Sequence, residues 1–211
     1  MFSASVRIEH WTVFLALVVL SVTGYWIGSG NLPLGPGGVY QMGTIRYVHA
    51  VAGWVLLAAI LARLYCAFFG SEYARWREFI PTKKADFKAM KDVFLYYTFF
   101  RSHYPHLDYG HNRLAAITYV VVYLLLTFMV ISGFALYGMA FSTGWQSWMR
   151  WPLAFVSAPT LRLAHHMGMW LLWGFVAHHV ASAVLVDHES RGGLMGGIFS
   201  GYKIVPKRAK P

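Results

Sequence analysis

The sequence predicts an all-α integral membrane protein, a single domain over residues 1–211 in which four transmembrane helices form a bundle. Of its residues, 57% are hydrophobic and only 12% are charged, whereas soluble domains carry about 25% charged residues. Four apolar stretches are long enough to cross a bilayer, which takes roughly 20 helical residues. The alternating strand patterns of a membrane barrel are absent, so the spans are predicted to be helices that satisfy their own backbone hydrogen bonds.

The four predicted spans cover approximately residues 8–28, 45–69, 114–140 and 161–186. The first contains "TVFLALVVLSVTGYWIG". No clear small-residue cleavage site follows it, so a retained span is predicted rather than a signal peptide. A Gly/Pro-rich segment and a Trp-rich segment, residues 29–44 and 141–160, are predicted to be loops on one side of the membrane. The connection 71–113 contains "KKADFKAMKDVFLYYTFF", whose lysines alternate with apolar residues as in an interfacial helix.

The positive charge of the chain is distributed unevenly. The formal net charge is +10, and most of the 18 Lys and Arg residues lie in the connection 71–113 or after the fourth span. The opposite side holds Arg46, Arg150 and Arg162. Since basic loops stay cytoplasmic, both termini are predicted to be cytoplasmic, which requires an even number of spans. Topology thus explains the charge, and the expected partner is membrane lipid, not nucleic acid.

Two histidine doublets lie in the apolar run "LAHHMGMWLLWGFVAHHV", residues 163–180. Each helical residue advances about 100° and 1.5 Å. Among the cross-doublet pairs, only His165 and His179 return to within about 40° of each other, roughly 21 Å apart along the axis. One tetrahedral metal cannot bind both, because its bonds to nitrogen are only about 2 Å long. Two separate sites at different depths can use them.

Each of these histidines has a candidate partner at a matching depth on another span. His49 lies near the outer start of the second span, with His165, and His10 opens the first span at the inner side, with His179. Two bis-imidazole sites in a helical bundle indicate two b-type haems. A single buried histidine is more often a hydrogen-bonded core residue. Four histidines that lie at two matching depths, with two of them on the same face of one helix, are better explained as metal ligands. Cys66 is the only cysteine, which excludes a C-x-x-C-H attachment site for covalent haem.

The remaining polar residues of the spans are interpreted less specifically. His166 and His178 are predicted to contact a neighbouring helix, a haem edge or a quinone, and they leave the ligand assignment ambiguous by one residue. Arg7, Arg46 and Arg63 are candidates to pair with haem propionates, and Arg46 is favoured because it lies three residues before the second-span ligand. An interfacial anchor is the alternative role for Arg46.

Four segments together resemble the cytochrome b subunit of membrane-bound, uptake-type nickel–iron hydrogenases: "VRIEHW", "IRYVHAVAG", "DYGHNRLA" and "HHMGMWLLWGFVAHHV". The similarity covers essentially the whole chain in order. The cytochrome b subunits of respiratory formate dehydrogenase are wider relatives, and the "GHN" element before the third span favours the hydrogenase type.

The resemblance implies an electron-transfer subunit with no hydrogen chemistry of its own, in the bacterial cytoplasmic (inner) membrane. It implies two b haems, with axial ligands on His49 with His165 and on His10 with His179. It also implies a periplasmic iron–sulfur small subunit and a nickel–iron large subunit docked outside. Electrons would pass from hydrogen through the clusters and the two haems to quinone.

By the same resemblance, His111 and Asn112 of "GHN" belong to a quinone site near the inner haem. A quinone needs polar groups at its carbonyls and a proton source, which an interfacial imidazole can supply. Asn112 could also simply cap the third span, because Asn is a good N-cap residue. The two roles are compatible.

Three other functions remain open on the sequence. The same electron-transfer role could serve another dehydrogenase of the formate type, which would lack a nickel-containing partner. A cation or proton transporter could use the histidines as a relay, and it would be colourless. A pure membrane anchor has no need for co-facial histidines at two depths.

Overall fold

The computed structural model describes residues 4–29, 38–70, 83–98, 113–190 and 193–202. The regular elements of these residues are all helical, which confirms the predicted all-α class. They comprise α1 (Ala4–Ser29), α2 (Gly38–Phe69), α3 (Lys84–Tyr97), α4 (Arg113–Gly138), a 3-10 helix (Trp145–Ala154), α5 (Ala158–Ser190) and α6 (Leu194–Ser200).

Four of these helices are long and apolar enough to cross a membrane, as predicted. The candidate spans are Ala4–Ser29, Tyr40–Phe69, Leu114–Gly138 and Ala158–Glu189. In none of them is more than 22% of the most apolar window buried inside the protein. Leu61, Leu124 and Leu163 are each more than half exposed. Soluble proteins rarely expose large apolar patches, so these faces are suited to contact with lipid.

The ends of the helices differ from the sequence-based boundaries. α2 begins at Gly38, well inside the predicted loop 29–44, and the predicted loop 141–160 contains the 3-10 helix. Gly144, with φ +90°, leads into that helix through a conformation that favours glycine. α5 begins earlier than predicted because Ser157 caps it, with the Thr160 N–H 3.4 Å from Ser157 Oγ.

The chain forms two compact units. The first, called here the His165 unit, comprises Glu9–Arg63 and Tyr123–Trp173. Portions of α1, α2, α4 and α5 pack together in it around buried side chains such as Leu56 and Leu172. The Trp173 Nε1–H donates to Ser21 Oγ at 2.8 Å and links α5 to α1. A Cβ at Gly168 would overlap Met129 Sδ, so α5 approaches α4 closely where a side chain is missing.

The second unit, the His179 unit, comprises Met1–Ile8, Leu64–Val122 and Gly174–Pro211. Its α3 is the helix predicted within the connection 71–113. The Lys83 N–H donates to Asp86 Oδ2 at 3.1 Å, which satisfies one donor at the start of that helix. The buried Tyr96 hydroxyl donates to Glu189 Oε2 at 2.5 Å, and this bond fixes α3 beside the end of α5.

Candidate functional site

His49 of α2 and His165 of α5 lie next to each other in the His165 unit. Their ring centroids are 6.5 Å apart, and the two ring planes are inclined by 65°. Both residues are only partly accessible. The structure therefore brings together the two histidines that depth along the spans predicts to be the outer pair.

A hydroxyl on α1 holds the His49 ring. Thr23 Oγ1 lies 2.8 Å from His49 Nδ1 and also donates to the Val19 carbonyl oxygen at 2.6 Å. A hydroxyl has one proton to give. If the Thr23 hydroxyl gives it to the Val19 carbonyl, Nδ1 of His49 carries the proton of the His49–Thr23 bond and Nε2 keeps the lone pair of the neutral ring. The backbone of Leu20 also forms a hydrogen bond with the His49 ring.

A hydroxyl on α4 holds the His165 ring in the same way. Ser132 Oγ lies 2.8 Å from His165 Nδ1 and donates to the Phe128 carbonyl oxygen at 2.7 Å. Ser132 is almost completely buried, with 1% of its surface exposed. If the Ser132 hydroxyl likewise gives its proton to the Phe128 carbonyl, Nδ1 of His165 carries the hydrogen and Nε2 keeps the lone pair.

A glycine follows each of these hydroxyl residues and makes room for the imidazole. A Cβ at Gly24 would lie 3.1 Å from His49 Cε1, and a Cβ at Gly133 would lie 3.1 Å from His165 Cε1. Most real Cβ contacts are looser than this. Thr23–Gly24 on α1 and Ser132–Gly133 on α4 therefore form two equivalent sites for an imidazole ring. In each site the hydroxyl bonds the ring and the glycine leaves space for it.

The two rings lie close enough together for one metal ion to reach both. An imidazole nitrogen binds a metal at about 2 Å, so rings whose centroids are 6.5 Å apart would hold one ion between them if both Nε2 atoms faced it. Within the described residues there is no group of three or more His, Cys, Asp and Glu that could hold a metal. Two imidazoles are too few for a tetrahedral zinc site, but they would be enough for a haem, which brings its own porphyrin nitrogens.

His166, the neighbour of His165 in the first histidine doublet, contacts other residues. The Trp170 Nε1–H donates to His166 Nε2 at 3.2 Å, and a Cβ at Gly28 would lie 3.6 Å from His166 Nδ1. Because His166 already accepts a hydrogen bond at Nε2, the geometry favours His165 over His166 as the ligand. This addresses the one-residue ambiguity of the sequence at this doublet.

The predicted inner pair, His10 and His179, falls in different units, and its pairing stays a prediction. His10 lies in the His165 unit, edge-on to Trp11 with centroids 5.2 Å apart. In the His179 unit, the His179 ring stacks on Phe175 with centroids 5.5 Å apart, and the ring centroid of Tyr119 lies 6.4 Å from that of His179.

His178 points to a different neighbour from His179. It is exposed, and its ring centroid lies 5.7 Å from that of Tyr97 on α3. Burial raises the pKa of the Tyr97 phenol, so this hydroxyl stays protonated at physiological pH. A role for His178 in a ligand pair is not indicated by these contacts.

The other predicted site residues divide into three groups. His111 and Asn112 lie outside the described residues, so their quinone role stays a prediction. Arg46 is exposed on α2, in the turn before His49. Arg63 lies in α2 with its Nε 3.8 Å from Glu9 Oε1.

Sequence reasoning missed Thr23, Ser132 and Glu9. The two hydroxyl residues carry one signal, a Ser/Thr–Gly dipeptide in each of two spans. Glu9 was visible as a carboxylate inside the first span, directly before His10. Its Oε1 accepts from the Tyr123 hydroxyl at 2.6 Å.

In the part of the chain that the structure describes, fold and site define the class: the regular elements are all helical, four helices are candidate spans, and histidines of two spans have ring centroids 6.5 Å apart. The chain belongs to the prokaryotic cytochrome b561 family, whose model matches residues 1–201. With its four long apolar helices, this membership makes it an integral membrane protein.

Several proteins are similar in sequence to this chain over nearly its whole length. A protein of Azotobacter vinelandii named "Probable Ni/Fe-hydrogenase B-type cytochrome subunit" is 36% identical over 96% of this chain and 87% of its own length. A protein of the same name from Bradyrhizobium diazoefficiens is 35% identical over 96% of this chain and 84% of its own length. An Escherichia coli K12 protein named for Ni/Fe-hydrogenase 1 is 33% identical, over 96% and 89%. The resemblance inferred from the four sequence segments is confirmed.

Proposed function

We propose that this chain is the cytochrome b subunit of a nickel–iron hydrogenase, that it binds two b haems, and that it carries electrons from a periplasmic iron–sulfur subunit to quinone. The observation that carries the proposal is the His49–His165 pair, with rings 6.5 Å apart and both Nδ1 atoms bound to hydroxyls. Family membership and the names of the relatives support the hydrogenase assignment.

His49 and His165 would hold the outer haem, and His10 and His179 the inner one. When bound, haem b would supply one-electron redox chemistry, and with both histidines as ligands it would be suited to electron transfer and not to binding oxygen or substrate. The work of the protein is then to fix the two ligands, exclude water and set the potential. For the inner haem, the support is the placement of His10 and His179 at the same predicted depth, and the aromatic rings that flank His179.

The proposed partners are the iron–sulfur small subunit and the nickel–iron large subunit, on the periplasmic side. Support comes from the relatives, whose names assign them to nickel–iron hydrogenases. Both termini and the connection 71–113 would then be cytoplasmic, in the bacterial inner membrane, as the distribution of Lys and Arg predicts. Arg46 would pair with a propionate of the outer haem.

The proposed electron acceptor is a membrane quinone bound near His111 and Asn112. The sequence places these residues just before the third span, on the predicted cytoplasmic side with His10 and His179. An imidazole there can exchange a proton with the reduced quinone. Protons for the quinol would thus be taken up on the cytoplasmic side.

The test is haem analysis and hydrogen-driven reduction of the purified complex. We expect two b haems per chain by the pyridine haemochrome assay, co-purification of a nickel-containing subunit, and reduction of both haems when hydrogen is added. A colourless preparation would contradict the proposal and favour a histidine-relay transporter. A coloured preparation without nickel, in which formate and not hydrogen reduces the haems, would assign the chain to a formate dehydrogenase type of complex.

A further inference from the structure

Two hydroxyl side chains outside the ligand set contact the proposed ligands in matching geometry. Thr23 on α1 meets Nδ1 of His49, and Ser132 on α4 meets Nδ1 of His165, each at 2.8 Å. We propose that Thr23 and Ser132 are positioning residues that fix the tautomer, the ring orientation and the donor strength of the two ligands, and thereby the potential of the haem between them. The inference rests on the proposed function, since it requires haem at His49 and His165.

The tautomer follows from the number of protons available. Each hydroxyl donates its only proton to a carbonyl four residues earlier in its own helix, Val19 for Thr23 and Phe128 for Ser132. Its oxygen can then accept from Nδ1–H, and at His49 this bond adds to a backbone hydrogen bond with Leu20. In a buried, water-poor site an unpaired imidazole N–H is costly, so Nδ1 keeps its proton and Nε2 keeps the lone pair that a metal requires.

The choice of a hydroxyl as acceptor also bears on the potential. Ligating histidines usually donate their second N–H to a carboxylate, a carbonyl or water, which raises the basicity of the ligand. A neutral hydroxyl that is already committed to a carbonyl is a weaker acceptor than a carboxylate. It stabilises ferric iron moderately, and its removal should make the haem easier to reduce.

The two hydroxyls also limit rotation of the rings. An imidazole bound only through Nε2 is free to turn about its bond to the metal, and a second bond at Nδ1 stops this rotation. The two ring planes are inclined by 65°. Because the electron paramagnetic resonance g values of low-spin ferric haem depend on the angle between the axial ligand planes, this spectrum reports on the role of the hydroxyls.

The chain offers a matched control on α4. Thr127 donates to the Tyr123 carbonyl at 2.8 Å in the same four-residue pattern. The hydrogen bonds described for Thr127 include no histidine. Thr127→Val therefore removes a hydroxyl of the same kind, one that the proposal leaves without a role.

The test is a spectroelectrochemical redox titration of the haem-loaded complex, with resonance spectra of the oxidised state. In Thr23→Val and Ser132→Ala we expect the ratio of oxidised to reduced outer haem, at a fixed potential, to fall several-fold and up to about tenfold, where tenfold equals 59 mV for one electron. The g values of that haem should change, and the inner haem should be unaffected. Thr23→Ser and Thr127→Val should both behave like the unsubstituted protein.

Potentials and g values that do not differ from those of Thr127→Val would overturn the inference while leaving the proposed function intact. If Thr23→Val loses the haem altogether, Thr23→Ser decides: retention of haem in the serine variant supports the role of the hydroxyl, and loss in both contradicts it. An unsubstituted complex without haem would overturn both the proposed function and this inference.

Discussion

At the scale of single residues, the positions of His49 and His165 depend on the hydroxyl and the glycine that contact each ring. Serine and threonine in membrane helices commonly bond to a carbonyl of their own helix, as Thr23 and Ser132 do. What distinguishes these two is that each hydroxyl oxygen also lies 2.8 Å from Nδ1 of a histidine on another helix. The neighbouring glycine also matters, because a Cβ in its place would lie 3.1 Å from Cε1 of the imidazole and crowd it.

Gly133→Ala tests the steric part of this arrangement. The added methyl would lie 3.1 Å from His165 Cε1, so either the ring or the helix must shift. Loss of support around a ligand typically lowers metal affinity by about 10- to 100-fold, and we expect a loss at the lower end of this range in haem affinity, measured as haem per chain after purification.

Gly174→Ala is the control for the substitution itself. A Cβ there would meet nothing within 4 Å among the described residues, and replacing a helical glycine by alanine stabilises a helix by about 0.5–1 kcal/mol. Haem content should stay unchanged in this variant. Equal haem retention in Gly133→Ala and Gly174→Ala would mean that the gap beside His165 has no function.

At the scale of helices, a polar cluster connects three spans of the His165 unit. Glu9 on α1 accepts from the Tyr123 hydroxyl on α4 at 2.6 Å, and Arg63 Nε on α2 lies 3.8 Å from the same oxygen. Only 12% of the Glu9 side chain is exposed. A carboxylate within a span is expensive unless it is paired, so these bonds are expected to fix the arrangement of the helices.

Tyr123→Phe tests the contribution of this cluster. Hydrogen bonds between membrane helices contribute about 0.6 kcal/mol on average and about 1.7 kcal/mol at most, and we expect the free energy of unfolding to fall by an amount within this range. The measurement is denaturant-induced unfolding in detergent micelles. Tyr25→Phe, at a residue that is 52% exposed on α1, should leave stability unchanged. A Tyr123→Phe variant as stable as Tyr25→Phe would show that the cluster does not hold the helices together.

At the scale of the whole molecule, the spans could be predicted because a bilayer requires long apolar helices and little else produces such runs. The grouping of His49 with His165 could be predicted because depth in the membrane can be read from the position of a residue in its span. The start of α2 and the presence of the 3-10 helix could not be predicted. Gly and Pro residues indicate a loop, but they do not show how much of that segment is helical.

The hydroxyl partners were beyond prediction for a different reason. Thr23 and Ser132 satisfy their own hydroxyl protons within their helices, so the sequence contains no unsatisfied group that points to another helix. Which face they present depends on how α1 and α4 rotate against α2 and α5, and apolar spans carry little periodicity that would define this rotation. The ambiguity between His165 and His166 had the same origin. The assignment of His165 stays a prediction, which the contact of Trp170 with His166 supports.

The central claim is that His165, and not its neighbour, is an axial ligand of one of two haems. The most direct measurement is the number of haems per chain, by pyridine haemochrome assay, in complexes carrying His165→Ala or His166→Ala. We expect the first variant to keep one haem and the second to keep both, because His166 Nε2 is occupied by the Trp170 N–H. Two haems in His165→Ala, or the loss of one in His166→Ala alone, would contradict the assignment.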